Sequence, residues 1–213
     1  MIILSHRGYW KDAAEKNRPE AFVRSFDLGY GTETDVRDMK GELMISHDMP
    51  TGGEITLTEM LAILGGRDLP MAMNIKADGL ARALDAQMKA AGLTQWFTFD
   101  MSVPETVVQL GLGLPVFTRA SEYEQPPACY DRASGVWLDA FKSEWHAARD
   151  VEAYLRDGKR VCIVSPELHK RPHEGLWAML RESNLHKHET LMLCSDIPED
   201  ASRYFGRNFG GAP

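Results

Sequence analysis

Short apolar runs alternate with amphipathic helical stretches along the whole chain, and this feature most constrains its fold. Most of the runs are near-continuous and end in polar residues, which is typical of parallel strands covered by helices. Eight strands are predicted, at Ile2–Ser5, Gly31–Val36, Met71–Lys76, Trp96–Asp100, Pro115–Thr118, Val136–Asp139, Arg160–Ser165 and Thr190–Cys194. Eight strand–helix alternations favour an α/β fold of the (β/α)8 TIM type, as one compact barrel domain over residues 1–213.

Local signals place helices between these strands. Pro19 opens a helix over Glu20–Leu28 that Gly29 ends, and Thr56 and Ser102 each precede a glutamate by three residues, the spacing of a capping box. Further helices are predicted at Ala77–Ala91, Ala147–Asp157, Pro172–Glu182 and Pro198–Phe205, whereas Pro126-Pro127 break any long helix over Ser121–Arg132. The alternative fold is an open doubly wound sheet, but no Gly-x-Gly-x-x-Gly follows the first strand.

Composition argues against several classes of protein. Twenty-four Lys and Arg against 31 Asp and Glu give a formal net charge of −7, which disfavours binding to nucleic acid or to an anionic membrane. No apolar run is long enough to span a bilayer, and Met1 leads directly into the first strand rather than into a signal peptide. The three cysteines lack Cys-x-x-Cys spacing and are predicted to be structural. We expect a cytoplasmic protein without a stable membrane anchor.

Polar and ionisable residues follow the predicted strands at the points where they end. In a (β/α)8 barrel the functional groups lie at the carboxyl ends of the strands. An inert barrel needs no such row of groups at one rim, so these residues predict a functional site there. They are His6, Arg7, Glu33, Asp35, Asn74, Lys76, Asp100, Arg119, Asp139, Glu167, His169, Ser195 and Asp196.

Two carboxylates on the second strand predict a metal site. Glu33 and Asp35 are two residues apart, so their side chains face the same way, toward the barrel axis. Carboxylates held that close repel each other, and a hard divalent cation relieves the repulsion while it uses their oxygens as ligands. The alternative is that the pair forms ordinary salt bridges with Arg7 or Lys76.

Two histidines are candidates for proton transfer. Lys40-Gly41 is a turn signal between two short runs, which predicts a small hairpin after strand two that returns His47 to the rim. His6 and His47 would then flank one substrate, one removing a proton and the other donating one.

Five motifs follow one another in the first third of the chain. They are His6-Arg7-Gly8, Asn17-x-Pro19-Glu20-Ala21-Phe22, Gly31-x-Glu33-x-Asp35-Val36, Gly41-x-Leu43-x-x-Ser46-His47-Asp48 and Leu57-x-Glu59-x-Leu61. Together they resemble the signature of the glycerophosphodiester phosphodiesterase family. Asn74-Ile75-Lys76 resembles that family's Glu-x-Lys on the third strand, and Ser195-Asp196-x-Pro198 resembles its Thr-Asp-x-Pro after the eighth. The resemblance therefore extends from the first predicted strand to the last.

The resemblance implies a metal-dependent hydrolase of small-molecule phosphodiesters on a TIM-type barrel. It implies that His6 and His47 are the acid–base pair and that Arg7 and Lys76 neutralise charge on the phosphoryl oxygens. Positive groups and a metal are the general means of stabilising charge in phosphoryl transfer.

For the metal, the resemblance implies Mg²⁺ or Ca²⁺, with Mn²⁺ as a further candidate, held by Glu33 and Asp35. The family has a third acidic ligand where this chain has Asn74. An amide oxygen still coordinates a hard cation, but the site loses one negative charge and should bind metal more weakly.

The substrate's head group is the least constrained part of the interpretation. Only ten residues separate His47 from Thr58, where many family members insert a cap subdomain, so an open mouth is predicted. Asp139 and Glu167 are predicted to bind the head group, and Asp196 to cap the last helix. Two alternatives stay open: a phosphodiesterase that acts on lipid head groups, and a catalytically degenerate barrel that binds a phosphorylated ligand.

Overall fold

A computed structural model of the chain describes residues 1–206. Nine strands are present in this part of the chain: β1 (Ile2–His6), β2 (Gly31–Met39), β3 (Glu42–Ile45), β4 (Met71–Ile75), β5 (Trp96–Phe99), β6 (Phe117–Ala120), β7 (Gly135–Leu138), β8 (Arg160–Val164) and β9 (Leu191–Ser195). All but β3 are parallel neighbours in the order β5-β4-β2-β1-β9-β8-β7-β6. A parallel bridge between Thr98 and Val116 brings the two ends together and nearly closes the sheet. The predicted (β/α)8 TIM-type barrel is confirmed.

The hairpin predicted after strand two is confirmed as well. β3 pairs antiparallel with the end of β2, with Val36 opposite Ile45 and Met39 opposite Glu42. Lys40 and Gly41 form the turn with φ angles of 54° and 88°. Two successive positive φ values are what a tight hairpin turn requires, and they explain the position of the glycine.

Seven α-helices occur in residues 1–206: α1 (Pro19–Asp27), α2 (Leu57–Leu64), α3 (Ala81–Ala90), α4 (Val103–Gly111), α5 (Ala148–Arg156), α6 (Glu174–Glu182) and α7 (Pro198–Phe205). The capping box at Thr56 is present, and the Ser102 side chain accepts a hydrogen bond from the Glu105 amide. Residues 121–134, between β6 and β7, contain only a short 3-10 turn, as the two prolines predicted. None of these helices is long and apolar enough to cross a membrane.

One helix boundary differs clearly from the prediction. α3 begins at Ala81 rather than at Ala77. Gly79 adopts a φ of 88°, which a right-handed helix excludes, and its amide donates a hydrogen bond to Glu105 at 3.0 Å instead of joining a helical turn.

Aromatic side chains fill the barrel interior beneath the rim. Phe97 stacks on Phe117 with ring centroids 3.7 Å apart, and Phe99 stacks on Trp137 at 3.8 Å. All four residues are buried in one cluster that also contains Leu4. Because side chains two residues apart share a face of a strand, His6 follows Leu4 on the inner face. A polar layer therefore lies on top of an apolar floor.

Candidate active site

His6 ends β1 and is fixed by a carboxylate that directly follows the neighbouring strand, β9. Its Nδ1 lies 2.7 Å from Oδ1 of Asp196, and its Nε2 lies 3.8 Å from Oε2 of Glu33. The Asp196 carboxylate accepts the Nδ1–H, so Nε2 carries the lone pair of the neutral ring. The imidazole can therefore take up a proton at the nitrogen that faces the barrel axis.

The prediction for Asp196 is wrong. It was expected to cap the last helix, but Ile197 is the residue before α7 and no side chain caps that helix. Asp196 instead orients His6. The cause is the pairing of β1 with β9, in which Ser5 lies beside Ser195, so the next residues, His6 and Asp196, are neighbours across the rim.

Glu33 and Asp35 are both deeply buried on β2, with 1% and 0% of their surfaces exposed. Burial in a poorly solvated site, followed by repulsion from the Asp35 carboxylate, raises the pKa of Glu33 to about 7. His6, Arg7 and Lys76 lower the pKa of Glu33, but they do not offset burial and the Asp35 charge.

Asp35 is the better compensated of the two carboxylates. Its Oδ2 lies 2.9 Å from Nε of Arg7 and accepts a hydrogen bond from the Asn17 amide at 2.9 Å. Its Oδ1 lies 3.4 Å from Nζ of Lys76. The ion pairs weighed as an alternative therefore exist for Asp35, whereas Glu33 contacts neither cation's charged group within 4.0 Å in the described chain.

Asn74 on β4 connects Glu33 to the next part of the rim. Its Nδ2 donates to Oε1 of Glu33 and to Oδ2 of Asp100, both at 3.2 Å. Asp100 is in turn paired with Arg119 at 2.9 Å. Since two carboxylates accept from the amide nitrogen, the amide oxygen of Asn74 is turned away from both.

Three oxygens in this group are buried and accept no hydrogen bond: Oε2 of Glu33, Oδ1 of Asp35 and Oδ1 of Asn74. The Asp35 oxygen still has the Lys76 ammonium at 3.4 Å. An oxygen-only set of two carboxylates and one amide suits Mg²⁺ or Ca²⁺, so the predicted ligands fit a hard cation in chemical type. Within residues 1–206, however, no three His, Cys, Asp or Glu side chains are grouped as a metal site. The candidate site thus depends on the amide of Asn74 as its third ligand.

His47 lies beyond β3, where the hairpin returns it, and its side chain is 46% exposed. Its Nδ1 lies 2.9 Å from Oδ1 of Asp48. His47 and Arg7 line one cavity of about 340 Å³, while Arg7 directly follows His6 in the chain. His47 and the Arg7 guanidinium therefore share one cavity, whereas the His6 side chain is not among its lining residues and contacts Asp196 and Glu33 instead.

The opposite half of the rim contains the predicted head-group residues. Oδ1 of Asp139 lies 2.7 Å from Nε2 of His169. Oε1 of Glu167 accepts hydrogen bonds from the Ser195 hydroxyl at 2.6 Å and the Asp196 amide at 3.3 Å. Oε2 of Glu167 is buried without a donor. Sequence reasoning placed these residues at the rim but did not foresee that Glu167 joins the loop carrying Asp196.

No protein-family profile matches the sequence, and no curated protein matches it. Solved structures do match. A glycerophosphodiester phosphodiesterase from Agrobacterium tumefaciens aligns with a TM-score of 0.73 at 17% identity, covering 97% of this chain and 99% of that chain. The chain has the fold of a phosphodiesterase. A phosphodiesterase from Oleispira antarctica, solved with its product sn-glycerol-3-phosphate, aligns at 0.71 and 15% identity over 97% of both chains.

A more distant likeness extends to a lipid-cleaving enzyme. A Ca²⁺-dependent phosphatidylinositol-specific phospholipase C from Streptomyces antibioticus aligns with a TM-score of 0.52 at 13% identity, covering 94% of this chain and 95% of that chain. These identities are low, so the likenesses show the shared barrel rather than a shared substrate.

Proposed function

We propose that the protein is a metal-dependent phosphodiester hydrolase acting on a glycerophosphodiester-like or other small phosphodiester. The observation that carries this proposal is a set of three buried oxygens that accept no hydrogen bond, on Glu33, Asp35 and Asn74, with His6 beside Glu33. A buried polar atom that makes no hydrogen bond destabilises a fold, and a cation bound among these oxygens would offset that cost. The likeness to phosphodiesterases, one of them with sn-glycerol-3-phosphate bound, supports the same conclusion.

Glu33 and Asp35 would hold the divalent cation, which is Mg²⁺, Ca²⁺ or Mn²⁺ by ligand type. Asn74 would join them after its amide rotates, because its nitrogen and not its oxygen faces Glu33 in the metal-free protein. A bound cation of this kind polarises a phosphoryl oxygen and offsets its negative charge. Arg7 and Lys76 add positive charge next to the same site. Asp35 contacts both of them, so one carboxylate holds two cations in position.

The two histidines would transfer the protons. His6 is held by Asp196 through Nδ1, which leaves Nε2 to take a proton from the attacking hydroxyl or return one to the leaving oxygen. His47, held by Asp48 through Nδ1 and exposed to the cavity, would perform the complementary transfer.

Asp139 and Glu167 would contact the head group. The bond to His169 fixes Asp139, and Oε2 of Glu167 is the atom left to accept a hydrogen bond from the substrate. Hydroxyl groups of glycerol or of a sugar are suitable donors for both carboxylates.

The test is hydrolysis of a phosphodiester panel in Mg²⁺, Mn²⁺, Ca²⁺ or EDTA. The panel contains glycerophosphocholine, glycerophosphoinositol, a sugar phosphodiester, lysophosphatidylcholine and bis(p-nitrophenyl) phosphate. We expect turnover that EDTA abolishes and a divalent cation restores. The same assay applies to a His6→Ala variant. Its matched control is His188→Ala, because His188 lies before β9, at the opposite end of the barrel. Silence with every metal and substrate would favour the degenerate, ligand-binding barrel instead.

A further inference from the structure

The carboxylate of Glu54 lies in a cradle of backbone N–H groups in the loop before α2. It accepts hydrogen bonds from the amides of Thr51 at 3.1 Å, Gly52 at 2.8 Å and Gly53 at 3.1 Å, and from the Thr51 hydroxyl at 3.1 Å. Gly52 has a φ of 109°, in the region that favours glycine, and this turns successive amides toward one point. Converging amides of this kind form an anion-binding concavity.

The cradle borders the cavity that His47 and Arg7 line, because its residue Thr51 is among the lining residues. Glu54, Lys16 and Arg18 line it as well. Nη1 of Arg18 donates to the Gly53 carbonyl at 2.5 Å, which attaches the guanidinium to the cradle. Within residues 1–206 neither Lys16 nor Arg18 forms an ion pair with a carboxylate. The cavity therefore borders the converging amides, and two cations that line it have no carboxylate ion-pair partner within residues 1–206.

The cavity also adjoins the proposed phosphoryl site. Arg7 lines the cavity and at the same time contacts Asp35 at 2.9 Å. A ligand whose phosphodiester lies against Arg7 would thus extend toward the cradle. The volume of about 340 Å³ accommodates a small polar group.

We propose that this cavity is a second anion site, and that Glu54 occupies it until an anionic group of the substrate displaces it. The inference rests on the proposed function and narrows its substrate class to phosphodiesters that carry a second anionic group, a phosphomonoester or a carboxylate, at one end. Such a group presents the same acceptor oxygens as Glu54 to the three amides. Lys16 and Arg18 supply the opposite charge.

Binding of inorganic phosphate in EDTA tests the site without any turnover. Calorimetry would give the affinity, and ¹H–¹⁵N spectra would report the amides of Gly52 and Gly53. We expect Glu54→Ala to bind phosphate about tenfold more tightly than wild type, because it frees three amide donors. The spectra of the variant should shift at both glycines on addition of phosphate.

Asp48→Ala is the matched control. It removes one negative charge from the same cavity without vacating the cradle, so we expect a gain of no more than about threefold from reduced repulsion. An equal gain in phosphate affinity in both variants would show that the gain comes from the change in net charge, and it would overturn the proposal. So would phosphate binding that leaves the Gly52 and Gly53 amides unchanged. If Glu54→Ala does not fold, Glu54→Gln should show a smaller gain with the same spectral response.

A pair of substrates separates this inference from the proposed function. Glycerophosphoglycerol and its terminal phosphate monoester differ by one anionic group. We expect a higher kcat/KM for the phosphorylated compound and loss of that preference in Arg18→Gln. Equal hydrolysis of both by wild type would refute the second anion site and leave the phosphodiesterase intact. No hydrolysis of either, with normal phosphate binding at the cradle, would refute the phosphodiesterase alone.

Discussion

Replacement of Glu33 by glutamine should stabilise the metal-free protein at alkaline pH. Glu33 has a pKa of about 7 in the folded protein against 4.5 for an ordinary glutamate, because it is buried and lies beside Asp35. A pKa difference is worth about 1.4 kcal/mol per pH unit, so ionised Glu33 destabilises the fold by about 3 kcal/mol above pH 7. Glutamine has the same shape, cannot ionise, and still offers an oxygen to the Asn74 amide.

The sign of the pH dependence follows from proton binding. Folded Glu33 holds its proton more tightly than unfolded Glu33, so its contribution favours folding at low pH and is lost as the pH rises from about 4.5 through 7. Wild type and Glu33→Gln should therefore have similar unfolding free energies at pH 4.5. At pH 8.5 the variant should be the more stable by up to about 3 kcal/mol.

Urea unfolding in EDTA at several pH values between 4.5 and 8.5 measures this difference. Glu182→Gln, on the exposed end of α6, is the matched control for loss of one carboxylate. Addition of Mg²⁺ should then raise the stability of wild type by more than that of Glu33→Gln, because the amide binds the cation more weakly and the stabilisation follows the affinity. An advantage of the variant that is constant with pH, or absent at pH 8.5, would refute the reasoning.

Three further predictions concern the groups around Glu33. His6→Ala and His47→Ala should each lower kcat by roughly 10²- to 10⁴-fold, with little change in Tm, because each removes one proton-transfer group; full activity in either variant would contradict its assignment. Asp196→Asn should lower kcat by about tenfold or more and shift the pH–rate profile, since the amide no longer stabilises protonated His6; an unchanged profile would leave Asp196 merely structural. Asn74→Glu should bind Mg²⁺ roughly tenfold more tightly with activity retained, as titration in a metal-indicator assay would show; unchanged affinity would exclude residue 74 as a ligand.

The barrel could be predicted from the sequence because its strands are buried on both faces. Runs such as Leu191–Ser195 are apolar without alternation, which distinguishes parallel strands covered by helices from half-exposed ones. The polar ends of the runs predicted the rim for the same reason, since an apolar strand that ends in an ionisable residue marks where burial stops. The early start given to α3 was wrong because Gly79 stops the helix through its φ, which the run of good helix formers conceals.

The partners within the site could not be predicted, because they depend on contacts between distant parts of the chain. Asp196 and His6 are 190 residues apart and meet only because β9 pairs with β1. A proline two residues after Asp196 suggests a helix cap. The sequence around Asp196 carries no information on the pairing of β9 with β1. In a closed barrel the first and last strands are neighbours, but this adjacency does not show which side chains at their ends form a hydrogen bond.

Asn74 affects both the charge repulsion in the metal-free site and the affinity of that site for a cation. Its amide donates to Glu33 on one side and to Asp100 on the other, so one neutral residue satisfies two buried carboxylates. A glutamate at this position would place three carboxylates side by side, a set that repels itself unless a cation is bound. The metal-free barrel with Asn74 avoids that repulsion, and the lost charge weakens its attraction for the cation. Asn74→Glu should therefore lower Tm in EDTA and enlarge the rise in Tm on addition of Mg²⁺, two opposite shifts that follow from a single carboxylate.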